Sequence, residues 1–257
     1  MNRINNLFQN TPKNLLSIYF CAGCPTLNDT VNVIRTLERN GVRMIEIGIP
    51  FSDPMADGVV IQNAATQALR NGMSLRLLFE QLRDVRNHVQ IPLILMGYLN
   101  PIMQFGFESF CQKCAECGID GVIIPDLPFK DYMESYKPIA DRYDLRVIML
   151  ITPETSEARI REIDAHTNGF IYMVSSAATT GVQKDFDAQK QAYFKKIQDM
   201  QLHNPCMVGF GINNKQTFES ACAYSSGAII GSRFVSLLNE FGGDAEKAII
   251  QLKEGLR

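Results

Sequence analysis

Eight short apolar runs recur along the chain: LLSIYFCA from Leu15, MIEIGI from Met44, PLILMGY from Pro92, GVIIPDL from Gly121, RVIMLIT from Arg146, GFIYMVS from Gly169, PCMVGFG from Pro205 and GAIIGS from Gly227. Each has the length of a strand and is rich in β-branched or aromatic residues. Amphipathic segments separate them, at residues 30–40, 62–70, 75–89, 108–117, 130–143, 156–165 and 215–224. A strand that is apolar throughout has to be covered on both faces, and alternation with helices supplies that cover, so the pattern predicts a parallel sheet. Eight such units in 257 residues favour closure into a (β/α)8 barrel, with a doubly wound open sheet as the alternative. No linker, low-complexity tract or repeat interrupts the pattern, so residues 1–257 are expected to form one domain, with a short helix in residues 1–10 closing the bottom of the barrel.

Charge and cysteine usage narrow the classes of partner. The formal net charge is -2 and the sequence pI about 6.0, so no basic field exists to attract a nucleic-acid backbone or an anionic membrane surface. The N-terminal residues lack the apolar core of a signal peptide, no apolar run approaches the roughly 20 residues of a membrane span, and a cytoplasmic location is expected. Seven cysteines in a chain of this size read as reduced thiols. Cys111, Cys114 and Cys117 have a metal-like spacing, but the segment reads as a helix ending at Gly118, without an evident fourth ligand, so packing is the expectation and a metal is not.

The segment EIGIPFSDPMADG, Glu46 to Gly58, concentrates the candidate chemistry. A carboxylate in an apolar strand is desolvated, which raises its pKa and suits Glu46 to proton transfer near neutrality. Pro50 and Pro54 stiffen the turn that carries Asp53 and Asp57. The alternative is structural: a buried Glu bonded to backbone, and acids that cap the next helix. In a barrel the site is built at the C-terminal ends of the strands, which adds Tyr98, Asn100, Asp126, Tyr172 and Thr180 as candidates, against core packing for the tyrosines and a plain turn for Asp126.

Gly209 and Gly211 in VGFGI, then Gly231 and Ser232 in IIGSR, follow the seventh and eighth runs. Loops at those positions, with a helix N-terminus nearby, are where barrels commonly hold phosphate; the alternative is ordinary turn glycines. Residues 175–189, polar and small and then charged, read either as a lid above the barrel mouth or as a plain loop.

These motifs together resemble those of the tryptophan synthase alpha subunit family over essentially the whole chain: YFCAGCPT, EIGIPFSDPMADGVVIQ, IIPDLP, SSAATTG, VGFGI and IIGSR. The resemblance implies a TIM barrel that cleaves indole-3-glycerol phosphate to indole and glyceraldehyde 3-phosphate without metal or organic cofactor. It implies Glu46 as general acid and base, Asp57 as the second acid, which holds the indole N–H, and Thr180 as the lid residue that positions Asp57. It further implies Gly181, Gly209, Gly211, Gly231 and Ser232 at the phosphate, Tyr172 in the pocket wall and Asp126 in an interface loop. The family works as an alpha-beta-beta-alpha tetramer that passes indole to a beta subunit carrying pyridoxal phosphate. Residues 53–58, 100–105 and 126–131 are the expected contacts with that partner.

The chain departs from the family pattern at Cys24, where an acid usually precedes the proline, at Ser176 and Ala178 in the lid, and at Arg233 after the phosphate serine. Two alternatives stay open on the residues alone: another phosphosugar barrel enzyme, and a barrel that only activates its beta partner.

Overall fold

The computed structural model describes residues 1–175, 184–209 and 211–256, of which residues 184–188 by their backbone alone. Among these, eight strands form: β1 (Leu15–Cys21), β2 (Met44–Gly48), β3 (Leu93–Met96), β4 (Gly121–Ile123), β5 (Arg146–Ile151), β6 (Ile171–Val174), β7 (Cys206–Gly209) and β8 (Gly227–Ile230). Each pairs in parallel with its neighbour in chain order, and β8 returns to β1, with Leu15 opposite Gly227 and Ile18 opposite Ile230. That last pairing closes the barrel and rules out the open sheet.

Alternation along each strand divides the side chains into two sets. Leu15, Met44, Ile94, Ile123, Ile148, Phe170, Met207 and Ile229 point inward and fill the barrel. Ile18, Ile45, Ile47, Leu93, Leu95, Val122, Val147 and Val208 point outward and are covered by helices. Full burial of each such aliphatic side chain contributes about 1.5–3 kcal/mol. The same alternation places Glu46, two residues after Met44, inside the barrel.

The bottom of the barrel is closed by helix Arg3–Asn10, which Asn2 caps by accepting a hydrogen bond from the Ile4 N–H at 2.9 Å. Its Ile4, Leu7 and Phe8 join the interior cluster, as expected for the first ten residues. Asp120 ties this end together. Its carboxylate accepts from Arg86 at 2.6 Å, from Arg3 at 3.0 Å and from the Leu93 N–H at 2.9 Å. The opposite end, at the strand C-termini, is thereby left to carry a site.

The helices lie where the amphipathic segments predict, with three instructive differences. The helix expected at residues 62–70 begins earlier, as Val59–Arg70, so Asp57 sits at its threshold. The segment 130–143 is broken into Phe129–Asp131, a wide π turn Tyr132–Tyr136 and Lys137–Arg142. Pro138 has no N–H to donate back to residue 134, and the π turn accommodates that missing bond. Residues 184–189, expected in the lid or loop, are instead the opening of helix Lys184–Asp199. Cys111, Cys114 and Cys117 line the buried face of helix Phe107–Cys117, which ends at Gly118 in the left-handed region with φ 69°. Among the described residues no helix is long and apolar enough to cross a membrane, and no group of three metal-ligating side chains comes together.

Candidate active site

A cavity of about 210 Å³ opens at the C-terminal end of the barrel, lined among others by Tyr19, Glu46, Asp57, Tyr172, Gly211, Gly231 and Ser232. Inward positions on neighbouring strands line it: Tyr19 on β1 stands opposite Glu46 on β2, and Met96 on β3 lies two residues beyond Glu46's register partner Ile94.

Glu46 has no exposed surface. One carboxylate oxygen accepts a hydrogen bond from the Ser17 hydroxyl at 3.3 Å, while the other, Oε2, has no partner among the described residues. Loss of water pushes its pKa up to about 8, and the Ser17 bond opposes that rise only in part. The protonated form of Glu46 is therefore favoured near neutral pH. This disfavours the structural reading, in which backbone groups would satisfy a buried carboxylate.

Asp57 arrives from the turn after β2. It makes no cap on helix Val59–Arg70, whose N-cap is Gly58 without a side-chain bond. It accepts instead from the Tyr98 hydroxyl at 2.9 Å, and that hydroxyl accepts from the Ala56 N–H at 2.9 Å. Burial raises the Asp57 pKa and the Tyr98 bond lowers it. Gln62 holds the turn by donating to the Asp57 carbonyl at 2.8 Å. Burial also drives the phenols of Tyr19, Tyr98 and Tyr172 well above their ordinary value, so all three stay protonated hydrogen-bond donors at neutral pH.

Two tyrosines are seated by glycines. A Cβ on Gly48 would stand 2.2 Å from the Tyr19 hydroxyl oxygen, and one on Gly209 would stand 2.0 Å from that of Tyr172. In both cases the ring leans from its own strand over a glycine two residues beyond its register partner on the next strand. Gly209 itself does not line the cavity, and its bare Cα serves Tyr172.

The remaining walls are apolar at Ile61, Met96, Ile212 and Ile229. At the far end, Gly211 and Asn213 follow β7, and Gly231 caps helix Ser232–Glu240. Gly231, Ser232 and Arg233 line the cavity, and the first N–H groups of that helix have no intrahelical acceptor, a donor array suited to an anion. Arg233 is exposed at the mouth.

Several candidates fall elsewhere. Asp126 accepts from the Leu99 N–H at 2.8 Å at the start of helix Leu99–Phe105, so its carboxylate serves a turn rather than the cavity wall. Asn100 is exposed on that helix. Cys24 is buried, its thiol donating to Gln67 at 3.6 Å and Asn239 at 3.8 Å, away from the cavity. Thr180, Gly181, Ser176 and Ala178 lie outside the described residues. Sequence reasoning missed Ser17, Tyr19, Met96 and Asn213; counting outward from Glu46 in steps of two, once the strand register is known, finds Ser17 and Tyr19.

Residues 6–257 match the family described as Tryptophan synthase alpha chain. The Tryptophan synthase alpha chain of Bacteroides thetaiotaomicron is 74% identical over 257 residues, all of both chains, and that of Bacteroides fragilis 76% over 253 residues, 98% of this chain and 96% of the other. Among solved structures, the Tryptophan synthase alpha chain from Legionella pneumophila superposes with a TM-score of 0.86 at 32% identity, covering 100% of this chain and 95% of that one.

Proposed function

Since the chain belongs to the tryptophan synthase alpha chain family, we propose that Glu46 and Asp57 are the catalytic pair with which it cleaves indole-3-glycerol phosphate to indole and glyceraldehyde 3-phosphate. The protein is a carbon–carbon lyase of tryptophan biosynthesis, a cytoplasmic enzyme, and the reaction uses no cofactor in this chain.

The observation that carries the assignment is the state of Glu46: fully buried, its pKa raised to about 8, with one oxygen that has no partner among the described residues, and lining the same cavity as Asp57. Ile61, Met96, Ile212 and Ile229 suit a flat apolar ring, and the Gly211, Gly231 and Ser232 end suits a phosphate. In the first step Glu46 gives its proton to C3 of the indole ring. The ring nitrogen becomes positive, and the Asp57 carboxylate, held by Tyr98, stabilises it through the N–H. Glu46, now a carboxylate in a dry site, is a strong base and takes the proton of the hydroxyl on the adjacent glycerol carbon. The oxygen lone pair forms the aldehyde, the bond to C3 breaks, and its electrons return to the ring nitrogen. The net change moves one proton from oxygen to carbon and restores protonated Glu46.

Indole then passes to the beta subunit, the pyridoxal phosphate enzyme of the alpha-beta-beta-alpha tetramer. The rim of the cavity suits such a partner. Met55 is 90% exposed on the turn that carries Asp57, and Met103 is 55% exposed on helix Leu99–Phe105, both within the segments expected to meet the beta subunit. Large exposed methionines beside a functional mouth are adaptable contact residues. Asp126, by bonding the N–H of Leu99, ties the segment 126–131 to the first residue of helix Leu99–Phe105.

Glu46→Gln and Asp57→Asn each remove the ionisable oxygen and keep the shape. Both should lose cleavage by about 10²-fold or more while retaining the far-ultraviolet dichroism of the wild type. Near-normal turnover in either variant rejects the role given to that residue.

A further inference from the structure

Phosphate recognition at this site, as described so far, uses neutral groups: the backbone around Gly211 and Gly231, Ser232 and a helix N-terminus. A phosphate carrying close to two charges in a partly dry pocket is held far better with a cation at hand. Arg233 is exposed at the mouth. A second cation approaches from the other side. Lys190, half-buried on helix Lys184–Asp199, has its Nζ 3.4 Å from the point where a Cβ on Gly211 would stand, and the Ser175 Oγ is 3.7 Å from the same point. Gly211 is in the left-handed region, φ 72°, and with Ile212 it forms the partition between the main cavity and an adjoining cavity of about 290 Å³ that Lys190 and Ser175 line.

The neighbours on the same helix turn away from this place. Lys195 pairs with Asp199 at 2.8 Å, and Lys196 pairs with Glu157 at 3.2 Å, both on the outer surface. Phe194, one turn beyond Lys190, is buried and fixes that face of the helix against the core. The stem of Lys190 is thus laid along the adjoining cavity with its ammonium against the backbone at Gly211, the far side of which faces the main cavity.

We propose that Lys190 is a binding and specificity residue for the substrate's phosphate, supplying across Gly211 the positive charge that the backbone donors lack. This rests on the lyase reading above for the identity of the phosphorylated substrate. It assigns the adjoining cavity a purpose, as the channel through which the lysine reaches the site.

The test compares wild type with Lys190→Met, which keeps an apolar stem and removes the charge, and Lys190→Arg, which keeps the charge. Two readouts are needed: kcat/KM for indole-3-glycerol phosphate relative to dephosphorylated indole-3-glycerol, and binding of inorganic phosphate by calorimetry. In Lys190→Met the preference for the phosphorylated substrate should fall about tenfold, through KM rather than kcat, and phosphate affinity should fall by a similar factor, the low end of a charge-assisted hydrogen bond. Lys190→Arg should recover most of both. Unchanged preference and phosphate affinity in Lys190→Met overturn the proposal, and so does an equal loss towards both substrates, which would mark a structural role. A wild-type chain that cleaves neither substrate speaks against the lyase reading, and the phosphate calorimetry then decides the role of Lys190 alone.

Discussion

Burying Glu46 inside the barrel has a thermodynamic consequence that can be measured without substrate. Its pKa rises from an ordinary 4.5 to about 8 because the folded protein withholds water from the carboxylate. At about 1.4 kcal/mol per tenfold change in proton affinity, that rise corresponds to roughly 5 kcal/mol against the folded ionised form. Below pH 4.5 the folded and unfolded chains both hold the proton, and the site carries no pH-dependent penalty. Between 4.5 and about 8 the unfolded chain has released a proton that the folded chain keeps, so rising pH favours unfolding, by up to about 1.4 kcal/mol per pH unit. Above about 8 both states are ionised and the penalty is constant. Glu46→Gln removes the titration while keeping an acceptor for Ser17. Urea denaturation of both proteins from about pH 5 to about pH 9 should therefore give stabilities that diverge, the variant gaining about 3–5 kcal/mol on the wild type across that span. A constant offset between the two curves would refute the reasoning, because it would mean that the folded carboxylate titrates as the unfolded one does.

Two other substitutions probe the surroundings of the pair. Tyr98→Phe removes the hydrogen bond that favours ionised Asp57, so the Asp57 pKa should rise further, the acid limb of the pH–rate profile should move to higher pH, and kcat should fall about tenfold. Gly209→Ala would set a methyl 2.0 Å from the Tyr172 hydroxyl and force the ring from its seat; thermal denaturation should show a loss of about 1–3 kcal/mol, with kcat/KM reduced at least as much in proportion.

The barrel was legible because its strands are buried on both faces, which makes each an unbroken apolar run, and because helices of clear amphipathic period separate them. Closure was favoured by the number of units in this length, and the pairing of β8 with β1 across the whole chain decides it against the open sheet. Glu46 stood out as a carboxylate among Met44, Ile45 and Ile47, and its parity with Met44 turns it inward. Tyr19 did not stand out, because an aromatic residue in an apolar run looks like core until the register places it opposite Glu46. Composition alone does not give the second demand on Gly209, whose bare Cα makes room for the ring of Tyr172; that contact appears only with the strand register. Lys190 lies just past the stretch 175–189 and carries no signal of its own in the sequence, where a lysine looks solvated until helix Lys184–Asp199 is in place and brings it to Gly211.

The assignment of the cavity to indole-3-glycerol phosphate cleavage is met most directly by a product assay: purified chain, substrate, and simultaneous detection of indole and glyceraldehyde 3-phosphate, with and without a cognate tryptophan synthase beta subunit. Release of both products in equal amounts, faster with the partner, is the expected result. Release of neither in either condition would contradict it, leaving a barrel with the right acids in place and a different task.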